Sequence, residues 1–173
     1  MKISVNAGHT KSGVGYGAAY GSYKESAIVR LVATELIILL KKKGHTVYDS
    51  TVDSAPTQGA YLRDVVCKAN ASKADLFISL HCNASASHKG HGVEVYTWKG
   101  RKHDPGVRLC YELSKLGFRN RGVKDGSQLY VVKNTTMEAV LVEMFFLDNP
   151  TDQSLYSTLG YRSIAKAIAE AIQ

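Results

Sequence analysis

The sequence predicts an α/β protein: one domain built on a mostly parallel, twisted sheet of about six strands, covered by helices on both faces. Two observations carry that reading. Short apolar runs alternate with amphipathic stretches of helical length, the pattern that places helices over both sides of a parallel sheet. The run Ala74-Asp75-Leu76-Phe77-Ile78 has the apolar character of a buried central strand. At 173 residues, with no internal repeat and no interdomain linker, residues 1–173 are expected to form one domain.

Lys2-Ile3-Ser4-Val5-Asn6 is the first expected strand, running into Ala7-Gly8-His9. Residues 8–21 then carry five glycines, at 8, 13, 15, 17 and 21, which reads as a flexible loop. No Gly-Lys-Ser/Thr follows, and the glycines do not open a helix at dinucleotide spacing, so a nucleotide site is disfavoured. Ser22-Tyr23-Lys24-Glu25 reads as a capping box, with Ser22 at the cap and Glu25 reaching back. Behind it Ile28, Leu31, Val32, Leu36 and Leu39 mark one helix face, ending near Lys41-Lys42-Lys43 and Gly44.

His45 to Asp49 is expected as a second strand, and Tyr61, Leu62, Val65, Val66 and Ala69 as the apolar side of a second helix. The central strand follows and delivers His81. Val93 to Thr97 alternates like a strand, and Asp104-Pro105 opens a helix with Asp at the cap and Pro next. Gln128 to Val132 and Ala139 to Phe145 are expected strands. Asn149-Pro150-Thr151-Asp152 turns into a short helix, and Ile164, Ala165, Ile168 and Ala169 form a closing one.

Three expected strands end in the same way. They deliver His9, His81 and Glu143 to one edge of the sheet, the carboxyl edge where open α/β sheets gather ligands. A single histidine there would most simply be structural, but convergence of several such groups points to a metal site. Two imidazoles and one carboxylate are the protein ligands of many catalytic zinc sites, and a second, non-ligating carboxylate must then take a proton from water. Glu143, in an apolar setting that raises its pKa, suits that general-base role, with Glu94 the competing candidate. Glu25 has its capping role as the simpler explanation, although the same placement fixes its carboxylate beside the loop that carries His9. His45, His88, His91 and His103 are expected to be solvated.

The net charge of +7 and pI near 9.3 favour a polyanionic partner: nucleic acid, an anionic membrane surface or a charged polymer such as a bacterial wall. No zinc-finger spacing, recognition helix or aromatic RNA-binding strand supports nucleic acid. No apolar window is long enough to span a bilayer, so membrane insertion is not expected. Lys99 to His103 and Arg119 to Lys124 are the basic runs free to form a binding face. Cys67, Cys82 and Cys110 are odd in number and are expected as reduced thiols. The start of the chain carries no signal-peptide pattern, so ordinary secretion is not expected.

Val5-Asn6-Ala7-Gly8-His9, Glu25 opening a helix, Arg63 with Ala69-Asn70, the stretch Ala74 to Ala84, Gly92-Val93-Glu94-Val95-Tyr96 and Ala139 to Glu143 followed by Asp148-Asn149 together resemble the zinc-dependent N-acetylmuramoyl-L-alanine amidases of the amidase 3 type. The similarity runs in order through essentially the whole chain. It implies that His9, Glu25 and His81 bind one zinc ion and that Glu143 is catalytic. It further implies hydrolysis of peptidoglycan at the amide joining the muramic acid lactyl group to L-alanine. Asn6 and Thr10 depart from the aspartate and glycine that many members carry around the first histidine, which would alter the pocket wall without touching the ligand. No wall-binding domain lies within these residues, so an isolated catalytic domain is expected, made in the host cytoplasm and released to the wall at lysis if it resembles a phage endolysin, with a bacterial autolysin fragment or a sporulation enzyme as the alternative. Two rivals stand beside this reading. One is a cysteine hydrolase using Cys82 beside His81, disfavoured because neighbouring strand residues point to opposite faces. The other is a wall-binding module without chemistry.

Overall fold

The computed structural model describes all residues, 1–173. Its centre is a six-stranded sheet in the order β4-β1-β5-β8-β6-β7. The strands are β1 (Lys2–Ala7), β4 (Thr46–Asp49), β5 (Leu76–Asn83), β6 (Val93–Thr97), β7 (Asn120–Asp125) and β8 (Glu138–Phe146). The first two, with β5 and β8, are parallel; β6 runs antiparallel to β8, and β7 runs parallel to β6. A separate two-residue hairpin, β2 (Ala19–Tyr20) and β3 (Tyr23–Lys24), closes the glycine loop.

Alternation along the strands divides the apolar residues between two layers. Ile3, Val5, Ile78, Leu80, Val140 and Val142 face α1 (Glu25–Lys42), α3 (Asp104–Ser114) and α5 (Pro150–Ala171), forming the larger core. Phe77, Ala139 and Leu141 face the other way, against α2 (Gln58–Ala71) and the single-turn α4 (Tyr130–Asn134). The second layer is thinner. On its side the sheet residues nearest the carboxyl ends of β1, β5 and β8 are polar: Asn6, Ser79, His81, Asn83 and Glu143. That uncovered polar stretch is where a site can form.

The fold is as expected, with three local corrections. Residues Gln128 to Val132 do not form a strand; the chain turns through one helical turn there, with Val131 and Val132 both buried. Two adjacent side chains entering the same layer suit a helical turn and not a strand, whose neighbours must diverge. The sixth strand is instead β7, Asn120-Arg121-Gly122-Val123-Lys124-Asp125, at the sheet edge. Its one apolar residue and its charges are what an edge strand tolerates and what discourages pairing with another chain. Gly122, at φ 76°, accommodates the register shift opposite β6.

The second correction is at Glu25. No capping box forms: α1 begins at Glu25 itself, Lys24 is the N-cap without a side-chain bond, and Ser22 lies in the turn of the β2–β3 hairpin. The third is one residue in size, since α3 includes Asp104 and leaves His103 at the N-cap. The expected break in the last helix is present within α5, where Gly160 takes φ 69° and ψ 168°.

Candidate metal and catalytic centre

His9 lies two residues beyond β1, in a left-handed backbone conformation at φ 66°. Such a conformation is strained for a non-glycine residue and persists only where neighbours impose it. Here the imposing contacts are visible: Thr10 N–H donates to the Gly15 carbonyl at 3.2 Å, the Thr10 hydroxyl donates to the Val14 carbonyl at 2.8 Å, and Arg30 Nη2 donates to the His9 carbonyl at 3.0 Å. The loop thus curls back on itself and turns the imidazole inward. His9 Nδ1 sits 3.0 Å from the Gly15 carbonyl, so a proton on Nδ1 leaves the lone pair of Nε2 pointing into the site.

His81 lies within β5, not after it, because the strand continues to Asn83. Its Nε2 is 3.1 Å from the Ser79 hydroxyl, and that hydroxyl donates to Asn6 Oδ1 at 2.9 Å. The relay turns Nδ1 of His81 toward His9. Ser79 and His81 share a face because they are two apart on a strand, and β1 lies beside them in register with Asn6 opposite Ser79. Asn6 therefore orients a histidine through a serine.

Glu25, nearly fully buried, completes the cluster. Its Oε1 is 3.0 Å from His9 Nε2 and 3.1 Å from His81 Nδ1, and those two nitrogens are 3.2 Å apart. Backbone N–H groups hold the carboxylate in place, Ala18 to Oε2 at 2.8 Å and Cys82 to Oε1 at 3.0 Å. Two glycines leave room for it: a Cβ on Gly17 would collide with Glu25 Oε2 and the His9 ring, and one on Gly8 with the His81 ring and the Leu80 carbonyl. Burial alone would raise the Glu25 pKa, but the two imidazoles outweigh it and hold the carboxyl far below the ordinary range. Burial likewise works against a proton on His9, yet the carboxylate prevails and raises its pKa.

These three side chains could hold a metal ion. The donor set, two imidazole nitrogens and one carboxylate oxygen, is that of open catalytic sites. Separations of 3.0 to 3.2 Å approach the edge of about 3.3 Å that a tetrahedral ion with bonds of about 2.0–2.1 Å would require. Each imidazole also has its remote nitrogen on an oxygen partner, the support expected behind ligating histidines.

Glu143 stands beside this cluster on β8, paired in register with His81. Its Oε2 is buried and has no hydrogen-bond partner. Burial, then the nearby carboxylates of Glu25 and Glu94, push its pKa well above the ordinary value. A carboxyl group without a structural task, adjacent to a potential metal site and disposed to hold a proton, has the properties of a general base or acid.

Glu94 does not fill that position. It pairs with Glu143 across β6 and β8, but its carboxylate is taken up by Asn83 Nδ2 at 2.9 Å, Tyr96 Oη at 3.0 Å and Arg121 Nε at 2.7 Å. Cys82 faces the opposite core, fully enclosed, and burial drives its thiol pKa up. The remaining histidines stay outside the cluster. His88 is exposed as expected, although its Nδ1 lies 2.7 Å from Asp148 Oδ2, whereas His103 is only half-exposed, with its Nδ1 2.7 Å from Glu138 Oε1 but not hydrogen-bonded to it. Sequence reasoning placed Ser79, Asn83, Gly17 and Arg121 in stretches of interest but gave none of them a role of its own. Spacing by two from His81 was the available signal for Ser79 and Asn83.

Fold and site together define an α/β protein with a His-Glu-His cluster and a free carboxyl group at the carboxyl edge of its sheet. The model of the N-acetylmuramoyl-L-alanine amidase family matches residues 3–173, and the chain belongs to that family. An uncharacterized protein of Clostridium perfringens is 36% identical over 178 residues, covering 99% of this chain and 51% of its own length. The endolysin of Bacillus phage SPP1 is 32% identical over 178 residues, covering 98% of this chain and 64% of its own. The catalytic domain of the CD27L endolysin targeting Clostridia Difficile superposes with a TM-score of 0.90 at 32% identity, covering 99% of this chain and 96% of that one. The chain thus spans about half to two thirds of these two curated relatives, and nearly all of that solved catalytic domain.

Proposed function

We propose that this chain is a catalytic domain, residues 1–173, that hydrolyses the peptidoglycan amide between the lactyl group of N-acetylmuramic acid and L-alanine of the stem peptide. In this reading His9 Nε2, Glu25 and His81 Nδ1 hold one zinc ion, and Glu143 moves the proton. When bound, zinc supplies Lewis-acid polarisation of the carbonyl and lowers the pKa of water to about 7. Glu143 accepts a proton from the water that attacks the lactyl carbonyl carbon. It returns that proton to the L-alanine nitrogen as the C–N bond breaks, leaving a free amine and a lactyl carboxylic acid, which loses its remaining proton to solvent. Glu143 Oε2 is buried and engaged by no other group, which leaves it free for this task.

The observation that carries the reading is the convergence of three ligand atoms on one point with an unpartnered carboxyl group next to it. A module that only gripped the wall would have no use for it. The rival thiol chemistry fails physically, because Cys82 is enclosed and its thiolate disfavoured. The net charge of +7 supports anionic wall polymers as additional partners. The endolysin relative supports a role in lysis, with the protein made in the host cytoplasm and released to the wall. No helix is long and apolar enough to cross a membrane.

Product analysis tests the proposal. Digestion of purified peptidoglycan should expose new L-alanine amino groups and no new reducing sugar ends, should stop on chelation, and should resume when zinc is restored. New reducing ends, or digestion indifferent to chelator, would contradict it.

A further inference from the structure

The polar stretch at the sheet edge does not stop at Glu143. His81 is in register with Glu143, Glu143 with Glu94, and beyond Glu94 lies Arg121 on the edge strand. The row crosses four adjacent strands, with the His-Glu-His cluster at one end and a guanidinium at the other. We propose that Arg121 forms a carboxylate-binding subsite that anchors the stem peptide of the substrate two or three residues beyond the bond to be cut. The inference rests on the amidase reading above.

Three properties make Arg121 a receptor and not merely a partner of Glu94. Its guanidinium is fixed: Nε donates to Glu94 Oε2 at 2.7 Å, and its carbon lies 5.0 Å from the centre of the Phe146 ring. Glu94 is itself immobilised, its side chain only 4% exposed and bonded to Asn83 and Tyr96. An anion meeting this guanidinium would find it already ordered, which removes much of the entropy loss that weakens surface ion pairs. Second, of the five N–H donors of a guanidinium only that on Nε is engaged; the Nη groups have no protein partner, and the side chain is 30% exposed. Third, the free end is the Nη1–Nη2 edge, which accepts a planar carboxylate through two parallel bonds.

Position identifies the ligand. Neighbouring strands are about 4.8 Å apart, so Glu94, two strands from His81, places the guanidinium on the order of 10 Å from the cluster. An extended peptide covers that distance in about three residues at about 3.4 Å each. A carboxylate on the second or third residue of the stem peptide would therefore reach Arg121 when the first residue lies over the cluster.

The test uses two pairs of soluble muramoyl peptides, identical within each pair except that the second residue in one pair, or the third in the other, bears a free carboxylate in one peptide and a carboxamide in its mate. In at least one pair, wild-type protein should show a KM about 10-fold or more lower for the acid than for the amide, the difference expected for a charge-assisted pair. In Arg121→Gln the preference should vanish, chiefly by a rise in the KM of the acid, with kcat changed by no more than about twofold. Arg121→Lys, which can keep the bond to Glu94 but not the forked edge, should be folded and lie between them. Calorimetry of the peptides with metal-free protein should give the same order of binding. Equal handling of acid and amide by the wild type in both pairs, or equal loss on acid and amide in Arg121→Gln, would overturn the subsite and leave Arg121 as a brace for Glu94. Should wild type cleave none of the peptides, the amidase reading fails, while binding still decides the subsite by whether the acid is preferred in at least one pair and Arg121→Gln abolishes that preference.

Discussion

Glu25 and Glu143 are carboxyl groups on neighbouring parts of one site whose surroundings pull their pKa values in opposite directions. Glu25 has two imidazoles against it and stays ionised; Glu143 has burial and two carboxylates against it and is driven toward the protonated form. The signs lead to opposite pH dependence. A carboxyl whose folded pKa is depressed adds stability above its unfolded pKa, lost as pH falls through the folded value. One whose folded pKa is raised removes stability as pH climbs above the unfolded value. Glu143→Gln lifts only the second penalty. Metal-free Glu143→Gln should therefore gain on wild type in denaturant melts as pH is raised from below 4.5 to 7. A difference that stayed flat over that range would mean that Glu143 is not perturbed in the folded protein.

Among the elements, α5 carries the sharpest break. At φ 69° and ψ 168°, Gly160 occupies a region essentially reserved for glycine, yet a Cβ there would meet no atom within 4 Å. Gly160→Ala should thus cost about 1–3 kcal/mol through backbone strain alone, measured by urea unfolding. Activity at low temperature should be preserved, since α5 packs on the face of the sheet opposite the site. A neutral substitution would show that the chain bends there without needing glycine. Elements with strong patterns were legible in the sequence: β1, β5 and β8 as apolar runs, and α1 to α3 and α5 by their periodic faces. The edge strand β7 was not, because pairing on one side only demands so little apolar surface that Asn120 to Asp125 reads as a basic loop. Val131 and Val132 misled for the converse reason, being β-branched residues recruited into a single helical turn. The site was legible where residues were delivered by strands. Only the family resemblance gave Glu25 a ligand role, since a first-turn glutamate reads equally as a cap; in the fold the glycine loop brings Ala18 N–H and His9 onto it, and β5 brings His81.

For the molecule as a whole, the excess of positive charge should act between separated, solvent-exposed groups, an attraction screened over about 8 Å at physiological ionic strength. Sedimentation with purified walls should show binding that weakens as salt rises from low to molar concentration; binding flat across that range would leave the charge without a role at the wall. The more searching question is whether one cluster holds metal while a separate group moves protons, and paired substitutions answer it. Metal content and amide cleavage should be measured together on Glu143→Gln and His81→Ala, both checked for folding. Glu143→Gln should retain one zinc per chain while cleaving about 100 to 10,000 times more slowly. His81→Ala should lose most of both. Loss of zinc from folded Glu143→Gln, or stoichiometric zinc in His81→Ala, would contradict this division of roles.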